Sequence, residues 1–151
     1  MGIKPNFTQA NVQSRLNKFL EVIEERQIKR LQYLGEMCVT EARDKRTYMV
    51  QTGNLLSSTG YTVYKDGVAV TRNFVVIKDG TIGINKGKQL CDSIASKYNS
   101  GILLIVVAGE NYAIYVESKG YNVLTSAEIL AKRELPRMLD ELKQNISKAL
   151  E

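Results

Sequence analysis

Few residues in this chain have side chains that could carry out covalent or acid–base chemistry. The 151-residue sequence contains no histidine, which excludes histidine general bases, histidine metal ligands and Ser-His or Cys-His catalytic pairs. Its two cysteines, Cys38 and Cys91, do not form a CxxC pair. Free cysteine is among the most buried residue types, so both are predicted to be small buried side chains in a reducing compartment, not a disulfide or reactive thiols.

A possible phosphate-binding loop is incomplete. The stretch GINKGK at residues 83–88 has the glycines and lysines of such a loop, but the Walker pattern requires glycine in place of Ile82 and Ser or Thr in place of Gln89. Two interpretations stay open: a loop that attracts an anion through Lys86 and Lys88, or a plain turn between a strand and a helix.

Two carboxylates form the remaining candidate for chemistry. Glu110 and Glu117 lie seven residues apart and are expected on one face of a short helix. They are either an acid pair or, as is usual without a pocket, surface or capping groups. Neither a GxSxG nor an HExxH pattern occurs. The sequence therefore predicts no catalytic residue, no metal and no cofactor.

The segment GENYAIYVESKGY at residues 109–121 is the most distinctive part of the chain. An apolar run, ILLIVVAG, precedes it and reads as a central buried strand. Tyr112, Tyr115 and Val116 then fall on one face of a short helix, with Asn111 as N-cap and Gly120 as C-terminal stop. The tyrosines are either core or interface aromatics, and their polar tips suit a subunit interface.

The order of these segments resembles the tail-completion, or head–tail joining (neck), proteins of long-tailed bacteriophages. The matching features are a long first helix, the TGNL segment at residues 52–55, the apolar strand that leads into YAIYVE and a glycine, and a C-terminal helix. Most of the chain is covered. The stretch at residues 78–101 is longer than the pattern requires and is interpreted as an insertion that alters contacts with neighbouring proteins.

The resemblance implies a structural virion protein of the neck, made in the host cytoplasm, with no reaction to perform. Such a subunit forms a ring, expected to have six copies, around the channel through which the genome passes. Its partners are other copies of itself, head-completion or portal-side neck proteins, and tail-terminator or tail-tube proteins, with genome DNA touched at most non-specifically. The contacts implied by the resemblance map onto Thr52, Gly53, Asn54, Leu55, Tyr112, Tyr115 and Glu117.

The net charge of +5 raises the alternative of a small basic nucleic-acid-binding protein. The excess is spread out: residues 1–46, 47–124 and 125–151 carry +3, +2 and 0. The densest cluster, RDKR at residues 43–46, has no interleaved aromatic residue of the kind that stacks on single-stranded bases. It is either a DNA contact or an ordinary helix end, where cations complement the helix dipole.

No membrane partner is expected. The first fifteen residues, MGIKPNFTQANVQSR, are polar, and the longest apolar run has about eight residues, too few for a membrane span.

A long amphipathic helix is predicted over residues 8–44, beginning at Thr8 or Asn11. Leu16, Leu20, Ile23 and other apolar residues recur at helical spacing. About thirty residues of helix exceed what a domain of this size needs. The helix either packs along a sheet or reaches a neighbouring subunit with its far end.

Residues 47–109 are predicted to be rich in β-structure. Two KDG tripeptides, at residues 65–67 and 78–80, are flanked by β-branched runs and predict two hairpins, 61–64 with 68–70 and 74–77 with 81–84. A short helix is predicted near residues 89–98 and another at 110–119.

The chain is predicted to end in a helix over residues 125–150, started by a capping box from Thr125 to Glu128. Pro136 lies inside it and predicts a kink or a division into two helices. The expected fold is a single α+β domain over residues 1–151: a long N-terminal helix, a central and mostly antiparallel sheet with a short helix, and a kinked C-terminal helix.

Overall fold

The computed structural model describes residue 2 and residues 8–150. In chain order its elements are α1 (Gln9–Asp44), α2 (Asn54–Ser57), β1 (Thr59–Lys65), β2 (Val68–Asn73), α3 (Thr81–Ala95), β3 (Ile102–Ala108), α4 (Ala113–Ser118) and α5 (Thr125–Leu150). The three strands form one antiparallel sheet. The predicted α+β class, with a long first helix, a short helix and a final helix around this sheet, is confirmed.

Helix α1 divides into a buried end and an exposed end. It begins at a capped position, since the backbone N–H of Asn11 donates to Thr8 Oγ1 at 3.2 Å. Its buried residues all lie in the C-terminal third: Leu34, Gly35, Cys38, Val39 and Ala42. Residues 9–22, called here the α1 arm, are exposed except for the half-buried Phe19.

Helix α5 packs antiparallel to α1, with Arg30 Nη1 3.0 Å from Glu141 Oε2. Twenty-one residues of α1 precede Arg30, whereas nine residues of α5 follow Glu141. At roughly 1.5 Å per residue, the α1 arm therefore extends about 18 Å past the end of its partner helix.

Of the two outcomes predicted at Pro136, the division into two helices is wrong, because α5 is one continuous element through that residue. The kink stays a prediction. Leu130, Met138 and Leu142 are buried on both sides of the proline. Because the same apolar face packs before and after Pro136, tertiary packing stabilises the helix despite the lost backbone hydrogen bond.

Strand β1 is the centre of the sheet, in the order β2-β1-β3. Alternate side chains face two helices. Tyr61 and Val63 pack with Val39 of α1, while Tyr64 packs with Cys91 of α3 on the opposite face. The sheet is thus sandwiched between the C-terminal part of α1 and helix α3.

Strand β3 occupies the predicted residues but an edge position, so the prediction of a central strand is wrong. The apolar run reflects burial of both faces of the strand, not the predicted central position in the sheet. Leu104 and Val106 pack towards α1, whereas Ile105 and Val107 pack towards α3. Because helices cover both faces of β3, it is apolar throughout without a strand on each side.

The second predicted hairpin is also wrong. Residues 74–77 pair with no strand, and the residues expected to form its second strand begin helix α3. The Phe74 ring fills a slot that only glycines leave open, since a Cβ on Gly60 or Gly87 would lie 2.4 Å from it. The helix predicted near 89–98 is the second half of α3, which packs on the sheet. The interpretation of residues 78–101 as an insertion stays a prediction.

Candidate interaction site

The glycine–lysine stretch at residues 83–88 lies inside α3, so it is neither an anion-binding loop nor a turn. Gly83 and Gly87 are buried in this helix. Lys86 Nζ lies 2.8 Å from Glu110 Oε2. The stretch therefore joins α3 to the start of the segment that carries the tyrosines.

The two candidate carboxylates have separate structural partners. Glu110 is only 5% exposed and pairs with Lys86. Glu117 Oε1 accepts the backbone N–H groups of Leu124 and Thr125 at 3.1 and 2.8 Å, and also the Thr125 hydroxyl. Burial opposes ionisation of Glu117, but these hydrogen bonds outweigh it and lower the pKa of the carboxyl.

These contacts replace the predicted capping box of α5. Thr125 donates to Glu117, and Glu128 instead forms an ion pair with Lys132. The backbone N–H of Ser126 donates to Asn122 Oδ1 at 3.1 Å. The first turn of α5 is therefore held by residues that precede it in the chain, and Glu117 ties α4 to α5.

Both thiols are free and buried, as predicted. Burial, with the nearby Glu41 carboxylate, raises the pKa of Cys38 to about 11. Burial also raises the pKa of Cys91. Within residue 2 and residues 8–150, no three Cys, Asp or Glu side chains lie close enough to hold a metal ion together.

A groove of about 460 Å³ opens between the irregular segment at residues 48–53 and helix α4. Leu55 and Leu56 of α2 form its buried base. Four tyrosines lie along its walls: Tyr48, Tyr112, Tyr115 and Tyr121. We call this feature, lined by residues 48–53, 55, 56, 112, 115, 116, 119 and 121, the tyrosine groove.

Most positions mapped by the family resemblance converge on the tyrosine groove, although up to 63 residues separate them in the chain. Those that line it are Thr52, Gly53, Leu55, Tyr112 and Tyr115. Asn54 and Glu117 do not line the groove but hold the elements on either side of it.

The TGNL segment shapes the groove from below. Gly53 has a left-handed φ of +86°, and a Cβ there would lie 2.0 Å from the Ile77 carbonyl oxygen. The Asn54 backbone N–H donates to Thr52 Oγ1, and Asn54 Oδ1 accepts the Gly83 N–H at 3.3 Å. Gly53 and Asn54 therefore fix α2 against α3, which leaves Thr52 and Leu55 to face the groove.

Helix α4 presents aromatic side chains to solvent. Tyr112 is 42% exposed and Tyr115 62% exposed. The predicted N-cap is wrong, because the N-cap position is Tyr112 and no side chain caps the helix. The predicted stop is confirmed: Gly120 has a φ of +89°, and its N–H donates to the Glu117 carbonyl at 3.0 Å.

Backbone N–H groups along one wall of the groove lack acceptors within the described chain. Among residue 2 and residues 8–150, no acceptor is present for the backbone N–H groups of residues 48–53. Burial raises the pKa of the Tyr112 hydroxyl, and the nearby Glu110 carboxylate acts in the same direction. The Lys119 ammonium lies 5.2 Å from the centre of the Tyr115 ring, a cation–π distance.

Sequence reasoning missed several groove residues, notably Tyr48, Lys119 and Tyr121. Tyr48 lies just after α1 in a stretch without a periodic pattern. Tyr48 comes close to α4 only because strands β1 and β3 pair, and no local sequence pattern encodes that pairing. The aromatic content of the two segments was the only available clue.

Comparison with protein-family models, with curated proteins and with solved structures finds no match to this chain. Within the part of the chain that the structure describes, no helix is both long and apolar enough to cross a membrane.

Proposed function

We propose that this protein is a structural subunit of a bacteriophage neck, a tail-completion or head–tail connector protein that assembles as a ring. One observation carries the proposal. Five of the seven positions to which the resemblance assigns contacts line a single groove, and the other two support its walls. A groove that combines both motif segments in one surface is what a contact site of the family would require.

The contacts and burial of the potentially reactive side chains support a non-enzymatic role. Glu110 is paired with Lys86, Glu117 holds the start of α5, and both thiols are buried. The two carboxylates therefore make structural contacts, and neither thiol is accessible from solvent. A catalytic acid or base instead needs a proton to transfer within reach in an accessible pocket.

The exposed surfaces support assembly. The α1 arm leaves Val12, Leu16 and Leu20 about half exposed, and the tyrosine groove lies near the opposite end of the same helix. A cyclic ring joins unlike patches of neighbouring copies, so two separate surfaces on one subunit suit it. The proposed partners are further copies, expected to number six, with head-side neck proteins and tail-terminator or tail-tube proteins in the virion.

Deletion of the gene from the phage that encodes it tests the joining role. The deletion is expected to yield filled heads and finished tails that do not join, and a plasmid copy of the gene should restore joining. Normal plaque yield, or loss of tails alone, would contradict the proposal.

A nucleic-acid-binding role is the second candidate, and one observation favours it. Tyr48, Tyr115 and Lys119 line one groove, Arg46 lies two residues before Tyr48, and the Lys119 ammonium lies over the Tyr115 ring, so aromatic and cationic side chains occur together there. DNA binding that weakens by about 10³-fold between 50 and 200 mM salt would support it. The neck proposal predicts only weak attraction.

A further inference from the structure

We infer that the tyrosine groove binds a peptide segment of a partner protein, and that this segment combines apolar and acidic side chains. The inference takes from the proposed function only the kind of partner, another protein of the assembly. The chemistry of the segment comes from the groove itself.

The charge around the groove selects an acidic segment. Lys119 lines the groove, Lys78 Nζ donates to the Val50 carbonyl in its wall, and Lys45 and Arg46 precede Tyr48. Within residues 8–150, none of these four cations forms an ion pair.

The nearby acids offset most of that positive charge but not all of it. Glu110 is paired with Lys86, whereas Glu117 accepts only neutral donors at the start of α5 and keeps its negative charge. Asp44 and Asp79 are exposed neighbours of Lys45 and Lys78. The four cations therefore exceed Asp44, Asp79 and Glu117 by one positive charge, which a carboxylate-bearing segment complements.

The open backbone selects a peptide. Residues 48–52 belong to no helix or strand, and their N–H groups find no acceptor in the described chain. A peptide laid beside them can supply carbonyl oxygens as acceptors for these N–H groups. The wall spans residues 48–52, so a segment of about five residues is matched to it in length.

The side chains that line the groove favour apolar residues in the bound peptide, placed between its carboxylates. Its base is aliphatic, from Leu55 and Leu56, and its walls are tyrosines with exposed rings. Tyrosine offers a large rigid contact area at low entropic cost, which is why it is enriched at interfaces.

A nucleic-acid strand fits this groove less well. Of the four cations near the groove, only Lys119 is among the lining residues, all of which the structure describes. A nucleic-acid strand carries a phosphate at every nucleotide and would leave most of them without a cation in the groove, whereas a peptide can place apolar residues there. The N–H groups of residues 48–52 are also better matched by the carbonyl oxygens of a peptide backbone.

Titration of the full ¹⁵N-labelled chain, followed by NMR, tests the inference. The probe is a capped pentapeptide that alternates three glutamates with two valines. Two comparison probes are the same peptide with lysine in place of glutamate, and a twelve-nucleotide oligothymidylate. We expect the acidic peptide to shift the amide signals of residues 48–53 and 112–121, and to bind more tightly than either comparison probe.

Matched variants distinguish binding in the groove from non-specific binding elsewhere on the surface. Tyr115→Ala and Lys119→Glu should each weaken acidic-peptide binding by about fivefold or more. Tyr98→Ala and Lys97→Glu alter an exposed tyrosine and lysine after α3 and should leave binding unchanged. All four positions are exposed, so the folded spectrum is expected to persist.

Three results would overturn the inference: no shift at millimolar peptide, equal binding of the lysine peptide, or tighter binding of the oligothymidylate. The outcome is separable from that of the gene deletion. If the peptide fails while the deletion leaves heads and tails unjoined, the groove assignment falls and the joining role stands. If the peptide binds while the deletion mutant joins normally, the neck proposal falls.

Discussion

Gly53 and Gly101 share a backbone conformation but differ in their surroundings. Their φ angles are +86° and +83°, in the left-handed region that disfavours side chains. A Cβ on Gly53 would lie 2.0 Å from the Ile77 carbonyl oxygen, whereas nothing lies within 4 Å of a Cβ on Gly101. Comparing substitutions at the two positions therefore separates the free-energy cost of the left-handed conformation from the cost of a steric clash.

Replacement of each glycine by alanine measures these two costs. Gly101→Ala should lower the free energy of unfolding by about 1–2 kcal/mol, the conformational cost alone. Gly53→Ala should lose clearly more, because the backbone at Ile77 must move and α2 with it. Urea unfolding of both variants provides the comparison, and equal losses would show that the base of the groove is not tightly packed.

Glu117 makes the start of α5 sensitive to pH. Its folded-state pKa lies below the ordinary value of 4.5 because of hydrogen bonds from Thr125 and neighbouring N–H groups that outweigh burial. A group whose pKa is lowered on folding stabilises the folded state above its unfolded pKa. That stabilisation is lost as the pH falls through the folded pKa.

Glu117→Gln should therefore destabilise the protein by about 1 kcal/mol at neutral pH, in the range of a lost helix cap. The difference from the unmodified protein should persist down to about pH 5 and shrink at lower pH, as Glu117 becomes protonated in both states. Thermal unfolding across pH 3–7 measures it, with Glu25→Gln as an exposed control. A difference that is the same at pH 3 and pH 7 would contradict the assigned role.

At the scale of elements, the two KDG tripeptides show what local sequence can and cannot predict. In the first, Asp66 and Gly67 both have positive φ angles, of +51° and +83°, and form the two-residue turn of the predicted hairpin. In the second, Gly80 has a negative φ and precedes α3. A Cβ there would lie 2.0 Å from Ser57 Oγ, so a tertiary contact, invisible in the sequence, decides the outcome.

The bounds of helix α1 could be predicted because its apolar residues recur strongly at helical spacing. Its two ends nevertheless differ in burial. Leu34 is 1% exposed in the core, while Leu16 in the α1 arm is 49% exposed. Both leucines belong to the same helical pattern. Only the fold shows that α5 and the sheet cover Leu34 and leave Leu16 bare.

Alanine substitutions at these two leucines should have unequal effects. Leu34→Ala is expected to cost about 2–5 kcal/mol of unfolding free energy, as for other buried leucines. Leu16→Ala should change stability by no more than about 0.5 kcal/mol. Chemical denaturation of the isolated protein checks both values, and a large loss for Leu16→Ala would mean that the α1 arm is packed in the free chain.

At the scale of the whole molecule, the tyrosine groove is the feature that sequence reasoning could not assemble. The resemblance supplied Thr52, Tyr112 and Tyr115 as separate positions, without a geometry. Their meeting depends on β1 and β3 pairing so that Thr59 lies opposite Ala108. This register brings the segment before β1 beside the segment after β3.

The whole molecule has unlike exposed surfaces at its two ends. The α1 arm and the tyrosine groove lie near opposite ends of α1, a helix of 36 residues that is about 54 Å long at roughly 1.5 Å per residue. A two-fold pair uses one patch twice, but a ring uses two different patches once each. The separation of the two surfaces is therefore the geometric basis of the ring proposal.

Cryo-electron microscopy of the virion neck can show directly where this protein lies and how its copies meet. We expect a closed ring of this chain, with six copies, at the junction of head and tail. Neighbouring copies should meet through unlike surfaces, and the tyrosine groove should be occupied by a segment of another chain. A particle that lacks the protein at this junction, or one that holds it as a two-fold pair, would contradict the proposed neck function.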